Sequence, residues 1–221
     1  MSESAATGQA DHRLAQAVSY ADIVLDAVTP QLLSQPTPCR AWNLRMLLEH
    51  ACESLAALYE GFTVSWVAMS PPQAEVSPSD AATLVSAFRE RAAALLAASA
   101  AAGGGGQVSI GGQPMPLGCL CTTGALEITM HAWDISQACG QCLPIPDEVA
   151  ADLLAEAPLL VPTLDRYPLF AAPAPVPPGS TASDRLAAYL GRSLATGLRS
   201  TSFGQSGVTN CRYRSRRPQG S

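Results

Sequence analysis

Four long segments of the chain carry hydrophobic residues at three- and four-residue steps, which is the period of an amphipathic helix. A shorter segment of the same kind and a final capped segment follow them. The pattern predicts helices over residues 11–33, 44–62, 81–102, 117–139, 146–160 and 181–190. Four long helices followed by a small helical extension are typical of a helix bundle, so the predicted fold class is all-α.

Local signals mark where several of these helices begin and end. Asn43 and Asp80 stand where an N-cap is expected before the second and third helices, and Ser180 or Thr181 caps the last one. Gly140 occupies the position where a left-handed glycine closes a helix such as the fourth. The helix bounds therefore have local causes as well as a hydrophobic period.

Two shorter features lie between the helices. Trp42 and Leu47 flank the first N-cap at the spacing of a hydrophobic staple. A small hairpin is predicted around Gly111 and Gly112, between the third and fourth helices.

All 13 basic residues are arginine, and the chain has no lysine. This excludes a P-loop with its phosphate-binding lysine, a lysine-bound pyridoxal cofactor and Schiff-base chemistry. The chain has three histidines, His12, His50 and His131, so any mechanism that needs an imidazole must use one of these.

The charge is unevenly distributed. All 18 acidic residues lie at or before Asp184, and residues 1–210 carry a net charge of −9, whereas the last eleven residues carry four arginines. An acidic body argues against nucleic acid as a partner. We expect residues 1–160 to form the bundle, 161–200 to form an extension packed on it, and 201–221 to be a disordered basic tail.

The chain shows no sign of a membrane or secretory segment. Its N-terminal residues lack the basic and apolar regions of a signal peptide, and no stretch reaches the roughly 18 consecutive apolar residues of a membrane helix. Seven cysteines, an odd number, do not predict a disulfide framework. We expect a cytoplasmic protein, either a monomer or a homodimer.

Glu127 and His131 lie four residues apart on the predicted fourth helix, so their side chains project from one face. His50 lies near the inward face of the second helix. If these helices are neighbours, the three residues form a His₂Glu ligand set with a coordination position left open, the pattern of a catalytic metal site. Asp134, one turn after His131, is expected to hold its imidazole. The alternative is an ordinary surface pair without metal.

Three further residues are candidates for substrate binding. Arg89 and Arg91 on the third helix are possible anchors for an anionic thiol or substrate, and Trp133 is a possible pocket wall. The alternatives are a solvated face in which the arginines pair loosely with Glu90, and ordinary aromatic packing.

The cysteines of the fourth helix do not predict a metal ribbon or a redox pair. Cys119 and Cys121 have C-x-C spacing, and the strongly helical segment after them leaves no room for the turns of a zinc ribbon. Cys139 and Cys142 form C-x-x-C at a helix C-terminus, where the dipole disfavours a thiolate.

Three blocks of the sequence resemble one known family. PTPCRAWNLRMLLEH, EITMHAWDISQACGQ and FAAPAPVPPGSTASDRLAAYLGR are similar, in this order, to blocks of the actinobacterial branch of the DinB superfamily. That branch includes the mycothiol-dependent maleylpyruvate isomerase-like proteins. The resemblance implies a DinB-like four-helix bundle that holds a divalent metal, zinc or nickel, through His50, Glu127 and His131, and mycothiol as a co-substrate.

On this basis we expect a metal-dependent thiol transferase or isomerase. The metal would activate a low-molecular-weight thiol or water for isomerisation or S-transfer on a small electrophilic substrate, in a pathway such as secondary metabolism. Two alternatives stay open: a non-catalytic metal- or ligand-binding bundle with a stress or resistance role, and a metal-free bundle recruited to a natural-product rearrangement.

Overall fold

The computed structural model describes residues 3–39, 42–67, 80–103, 105–164, 166 and 170–193. Within this part of the chain the structure is mostly helical, and the predicted all-α fold class is confirmed. The helices are α1 (Glu3–Leu25), α2 (Leu44–Val64), α3 (Ala81–Ala102), α4 (Leu117–Ala138), α5 (Asp147–Leu160) and α6 (Ala182–Tyr189). A 3₁₀ turn (Pro30–Leu32) and three short strands, β1 (Trp66–Val67), β2 (Gln107–Ile110) and β3 (Gln113–Pro116), complete the described elements.

The four long helices form a bundle. α1 packs most extensively against α4 and α2 against α3, and contacts of α2 with α4 and of α1 with α3 close the ring. The core is built largely from leucine and alanine, with Leu14, Leu47, Leu55 and Leu95 almost fully buried. Sixteen of the 22 residues of α4 are buried. A polar side chain on this helix must therefore find its partners inside the protein.

The predicted caps are present. The side chain of Asn43 accepts a hydrogen bond from the Met46 amide (3.0 Å), and the side chain of Asp80 accepts one from the Thr83 amide (2.7 Å). Thr181 caps α6, where its hydroxyl and a carboxylate three residues later form a capping box. These side chains satisfy amides that the helix itself leaves without acceptors, which explains why the helices begin where the sequence predicts.

The first helix differs from its predicted bounds at both ends. α1 begins at Glu3 rather than residue 11, so it extends beyond the N-terminal end of its apolar stripe, through a segment that contains Ala5, Ala6 and Ala10. It ends at Leu25 rather than residue 33. Pro30 disfavours a helical backbone at the residue before it, and Thr29 is extended (φ −127°, ψ 159°).

The strands form one small sheet in the order β1-β2-β3. β2 and β3 make the predicted hairpin, with Gly111 and Gly112 in the left-handed region at its turn. β1 was not predicted; it pairs in parallel with β2, and the Ser109 amide donates to the Ser65 carbonyl (2.9 Å). The sheet ties the C-terminus of α2 to the segment that leads into α4.

The last two helices, α5 and α6, come after the four bundle helices in the chain. α5 contacts both α4 and α6, and the hydroxyl of Tyr20 on α1 donates to the Leu143 carbonyl (2.9 Å) just before α5. None of the helices in the described ranges is long and apolar enough to cross a membrane. The predicted disordered tail, residues 201–221, lies outside the described residues.

Candidate metal centre

The packing of α2 against α4 brings His50, Glu127 and His131 together. Nε2 of His131 lies 2.9 Å from Oε1 of Glu127, and Nε2 of His50 lies 3.3 Å from the same oxygen. All three candidate ligand atoms lie within 4.8 Å of one another. The neighbouring helices required by the sequence argument are thus present, and the three side chains converge on one point.

Ser54 also joins this cluster, although it was not among the residues predicted from the sequence. Its hydroxyl donates to Oε1 of Glu127 (3.1 Å) and lies 3.4 Å from Nε2 of His50. Ser54 follows His50 by four residues on α2, so the two share one helix face. This four-residue spacing is the feature of the sequence from which Ser54 could have been predicted to lie beside His50.

The cluster has one buried and one open side. The side chain of His131 is 8% exposed, whereas those of His50 and Glu127 keep 34% and 36% of their exposure. The His131 ring forms the buried side, and His50 and Glu127 border the side that is open to solvent. An ion or a small ligand can therefore approach the cluster from that side.

The donor set fits a divalent transition-metal ion. Imidazole nitrogen and carboxylate oxygen bind zinc at about 2.0–2.2 Å, and at tetrahedral angles two such ligand atoms lie about 3.3 Å apart. The nitrogen-to-oxygen separations of 2.9 and 3.3 Å are close to this spacing. Imidazole also suits nickel, so the donor set does not distinguish these metals.

The charges within the cluster are strongly coupled. Burial raises the pKa of Glu127, but the charge and hydrogen bonds of the two histidines overcome this and hold its pKa well below the ordinary value. Burial lowers the pKa of His131, yet the Glu127 carboxylate, assisted by Asp134 and Cys39, raises that pKa well above its ordinary value. Protons and a metal ion would compete for the same imidazole nitrogen.

The loop between α1 and α2 covers one side of the cluster. Thr37 ties it together, because its hydroxyl donates to the carbonyls of Cys39 (3.1 Å) and Trp42 (2.9 Å). The Trp42 ring centroid lies 4.4 Å from that of His50 and 6.2 Å from that of His131. Trp42 therefore lies against a candidate metal ligand. The hydrophobic staple predicted for Trp42 did not indicate this contact.

A second possible ligand set, Cys39, His131 and Asp134, lies on the other side of the His131 ring. A protein cation already occupies it. The Arg192 guanidinium lies 2.8 Å from Oδ2 of Asp134 and 3.5 Å from Sγ of Cys39. A metal ion there would have to displace this buried arginine against charge repulsion, so the set around Glu127 is the better candidate.

Asp134 is completely buried and lies next to Nδ1 of the His131 ring. Its Oδ2 is 3.8 Å from Nδ1 of His131, which is within ion-pair distance but too long for a hydrogen bond. Its direct partners are Arg192 and the Cys39 thiol, which donates to Oδ2 (3.3 Å). Burial raises the pKa of Asp134, but His131 and Arg192 outweigh that effect and lower it.

The three predicted substrate-binding residues lie apart from these contacts. Arg89 pairs with Asp22 of α1 (2.6 Å) and with Asp26 just after that helix (2.7 Å), rather than with Glu90. Arg91 is exposed and lines a surface groove. Trp133 is 6% exposed and belongs to the hydrophobic core. Packing in the core thus explains the position of the Trp133 side chain, and ion pairs with the first helix and the residue after it explain that of Arg89.

The cysteines of α4 are separate from the cluster. Cys119, Cys121 and Cys139 are free thiols, and burial raises the pKa of both Cys121 and Cys139 to about 11. Cys142 is disulfide-bonded, which the odd cysteine count did not predict. Because Cys139 is free, the C-x-x-C pair does not form a disulfide with itself.

Comparisons with known proteins agree with the resemblance found in the sequence. The family model described as the mycothiol maleylpyruvate isomerase N-terminal domain matches residues 14–136, which include all of α2 and the three candidate ligands. Two uncharacterized proteins, from two strains of Mycobacterium tuberculosis, are each 32% identical over 175 residues, covering 77% of this chain and 91% of their own length. No solved structure matches the chain. The chain therefore belongs to the mycothiol maleylpyruvate isomerase N-terminal domain family, a DinB-like family.

Proposed function

We propose that this protein is a metal-dependent enzyme that activates a low-molecular-weight thiol, of the mycothiol type, for isomerisation or S-transfer on a small electrophilic substrate. His50, Glu127 and His131 would hold the divalent metal, zinc or nickel. The observation that carries the proposal is the convergence of their three ligand atoms within 4.8 Å, on a cluster with one side open to solvent.

The bound metal would supply Lewis acidity, which lowers the pKa of a coordinated thiol or water. The protein supplies position and shielding. Glu127 accepts hydrogen bonds through one oxygen and is held there by Ser54, so its carboxylate is fixed before any ion binds. The buried ring of His131 forms the rigid wall, and the half-exposed ring of His50 borders the entry side.

Trp42 would shape the space next to the reacting atoms. Its ring lies against that of His50, and its backbone carbonyl accepts a hydrogen bond from Thr37, which holds this part of the loop beside the cluster. An aromatic wall excludes water on one side and offers an apolar surface to a substrate. A small electrophile would then approach from the open side that His50 and Glu127 border.

Family membership supports the choice of thiol. The matching family is described by mycothiol and by maleylpyruvate isomerisation, and the two mycobacterial relatives are described as uncharacterized proteins. Maleylpyruvate is therefore the first substrate to test, and an aryl halide is a suitable general electrophile. Isomerisation and S-transfer both begin with attack of the thiolate on an electrophilic carbon, so one site serves both.

The test is turnover by protein loaded with Zn(II) or Ni(II). We expect mycothiol-dependent consumption of maleylpyruvate or of the aryl halide, and a loss of at least 100-fold in rate for Glu127→Gln and His50→Ala. His12→Ala is the matched control, because His12 is exposed on α1. Its rate should equal that of the unmodified protein.

Two other outcomes would redirect the proposal. Tight metal binding with no thiol-dependent turnover of any electrophile would favour a non-catalytic metal-binding bundle. Turnover that is equal in His50→Ala and in the unmodified protein would show that the cluster is not the reaction site. Glutathione and cysteine, assayed beside mycothiol, report whether the thiol is recognised beyond its sulfur.

A further inference from the structure

A side chain from the segment just after α6, that of Arg192, lies next to the candidate metal centre. Arg192 lies beyond the end of α6, and its side chain is only 11% exposed. Its guanidinium contacts the carboxylate of Asp134, which is 0% exposed and one turn from His131. The two residues are 58 positions apart, and Arg192 lies outside the region that the family model covers.

The backbone after α6 is shaped to place this arginine. The Arg192 amide donates to the Ala187 carbonyl (2.9 Å) and the Gly191 amide to the Ala188 carbonyl (3.0 Å), which closes the helix. Gly191 is left-handed (φ +82°), and a Cβ at this position would lie 2.8 Å from the Ala171 carbonyl oxygen. Only glycine fits this turn, and the turn directs the next residue toward α4.

The arginine holds both oxygens of the carboxylate. Nη2 lies 2.8 Å from Oδ2 and Nε lies 3.3 Å from Oδ1 of Asp134, while Nη1 donates to the Leu190 carbonyl (3.0 Å). A planar guanidinium that grips two oxygens fixes the orientation of the carboxylate as well as its charge. The Cys39 thiol donates to the same Oδ2 (3.3 Å) and lies next to Nη2 of Arg192 (3.5 Å).

Oδ2 of Asp134 also lies close to the other ring nitrogen of His131, Nδ1. Nδ1 of His131 is buried and has no hydrogen-bond partner among the described residues, and Oδ2 lies 3.8 Å away. When a histidine binds an ion through Nε2, its Nδ1–H group requires an acceptor, and that acceptor sets the ring orientation. A small approach of the His131 ring or of Oδ2 would complete this bond.

We propose that Arg192 is a positioning residue of the metal centre. It holds the buried Asp134 carboxylate where Oδ2 can accept from Nδ1 of His131, and thereby directs Nε2 of His131 toward Glu127. This inference rests on the proposed metal site, and it makes the C-terminal segment a part of that site. Without Arg192, the buried carboxylate loses its compensating charge and its fixed orientation.

The test is a double-mutant cycle on the dissociation constant for Zn(II). We expect Arg192→Met to weaken Zn(II) binding about tenfold or more, as loss of a ligand's supporting partner does, and Arg192→Lys to weaken it less. In an Asp134→Asn background, Arg192→Met should change the dissociation constant by less than twofold. Arg192 acts on His131 through the Asp134 carboxylate, which this background lacks. Arg185→Met, an exposed arginine of α6, is the control and should bind as the unmodified protein does.

Two results would overturn the inference. In the first, Arg192→Met lowers the melting temperature but leaves the dissociation constant for Zn(II) within twofold of that of the unmodified protein. This result would show that Arg192 has a structural role only. The other is an equal loss of affinity with Asp134 present and with Asp134→Asn. If Arg192→Met does not fold, Arg192→Lys decides on the same criteria.

A measurement on metal-free protein separates this inference from the proposed function. ¹⁵N NMR of the histidine rings should show the Nδ1–H of His131 protected from solvent exchange in the unmodified protein and in Arg185→Met, and exchanging rapidly in Arg192→Met. If the protein binds no Zn(II) but shows this difference, the proposed function fails and the positioning role stands. If the ring signal is the same in all three, the positioning role fails.

Discussion

The Ser54 hydroxyl donates to Oε1 of Glu127 across the interface between α2 and α4, at 3.1 Å. Together with the His50–Glu127 contact, this bond connects the helix that carries His50 with the helix that carries His131. It fixes the one oxygen on which both imidazoles converge. A residue that binds no ion itself therefore contributes to the shape of the candidate metal centre.

Loss of this hydroxyl should weaken metal binding more than it affects folding. We expect Ser54→Ala to raise the dissociation constant for Zn(II) about fivefold, because a half-exposed hydrogen bond to a charged group is worth about 1 kcal/mol. Isothermal titration calorimetry measures the constant. Ser19→Ala, at an exposed helical serine of α1, is the control and should leave it unchanged. Equal constants in both variants would show that Ser54 does not support the site.

Trp42 should report metal binding by its fluorescence. Its ring lies 4.4 Å from that of His50, so Ni(II), whose d shell is partly filled, should quench its emission on binding. We expect this quenching in the unmodified protein and in Trp66→Phe, whose tryptophan is 48% exposed. The quenching should be weaker in Trp42→Phe, in which Trp133 on α4 remains. Quenching of the same size in Trp42→Phe would place the ion elsewhere.

Even the methyl group of an alanine at position 191 should lower the stability of the fold. Gly191→Ala forces a left-handed alanine and puts its Cβ 2.8 Å from a carbonyl oxygen, so we expect unfolding to become easier by about 2–3 kcal/mol. Gly179 has nearly the same φ (+80°) with no atom within 4 Å of the added Cβ. Gly179→Ala should therefore cost about 1 kcal/mol. Urea unfolding measures both, and equal losses would mean that the close contact has no effect.

Stability should fall on the alkaline side. Burial raises the pKa of the Cys52, Cys121 and Cys139 thiols from 9.0 to about 11. Between these values the unfolded chain loses protons that the folded chain keeps, so the free energy of unfolding decreases as pH rises. The slope is at most about 1.4 kcal/mol per pH unit for each thiol.

Urea unfolding between pH 8 and pH 11 checks this expectation. Cys121→Ala should make the free energy of unfolding fall less steeply with pH, because one buried thiol is removed. Cys119→Ala, at an exposed thiol, should leave the pH dependence unchanged. A free energy of unfolding that is constant from pH 9 to pH 11 would contradict the assignment of these thiols as buried and protonated. Tyr20, whose pKa burial raises further, would extend the decrease to still higher pH.

Most of the bundle could be predicted because its signals are local. Asn43, Asp80 and Thr181 each cap a helix within three residues of their own position, and the glycine pair of the hairpin acts within its own turn. The bounds of α1 were wrong where local signals conflict. Its apolar period continues past Leu25, although the proline at position 30 prevents the helix from following it.

The site could be predicted only in part, for the same reason. Glu127 and His131 share one helix turn, so their spacing is visible in the sequence, and His50 was found because histidines are scarce. The Arg192 contact with Asp134 and the pairing of β1 with β2 join positions far apart in the chain. No periodic pattern encodes such contacts, since they depend on how the helices and loops pack together.

The metal content of the purified protein tests the central claim most directly. Elemental analysis of protein prepared without chelators should find about one zinc or nickel ion per chain in the unmodified protein and in His12→Ala. The same analysis should find none in His131→Ala, provided that its circular dichroism shows the helices intact. An unmodified protein without metal even after incubation with Zn(II) or Ni(II), or a His131→Ala variant with full metal content, would contradict the account.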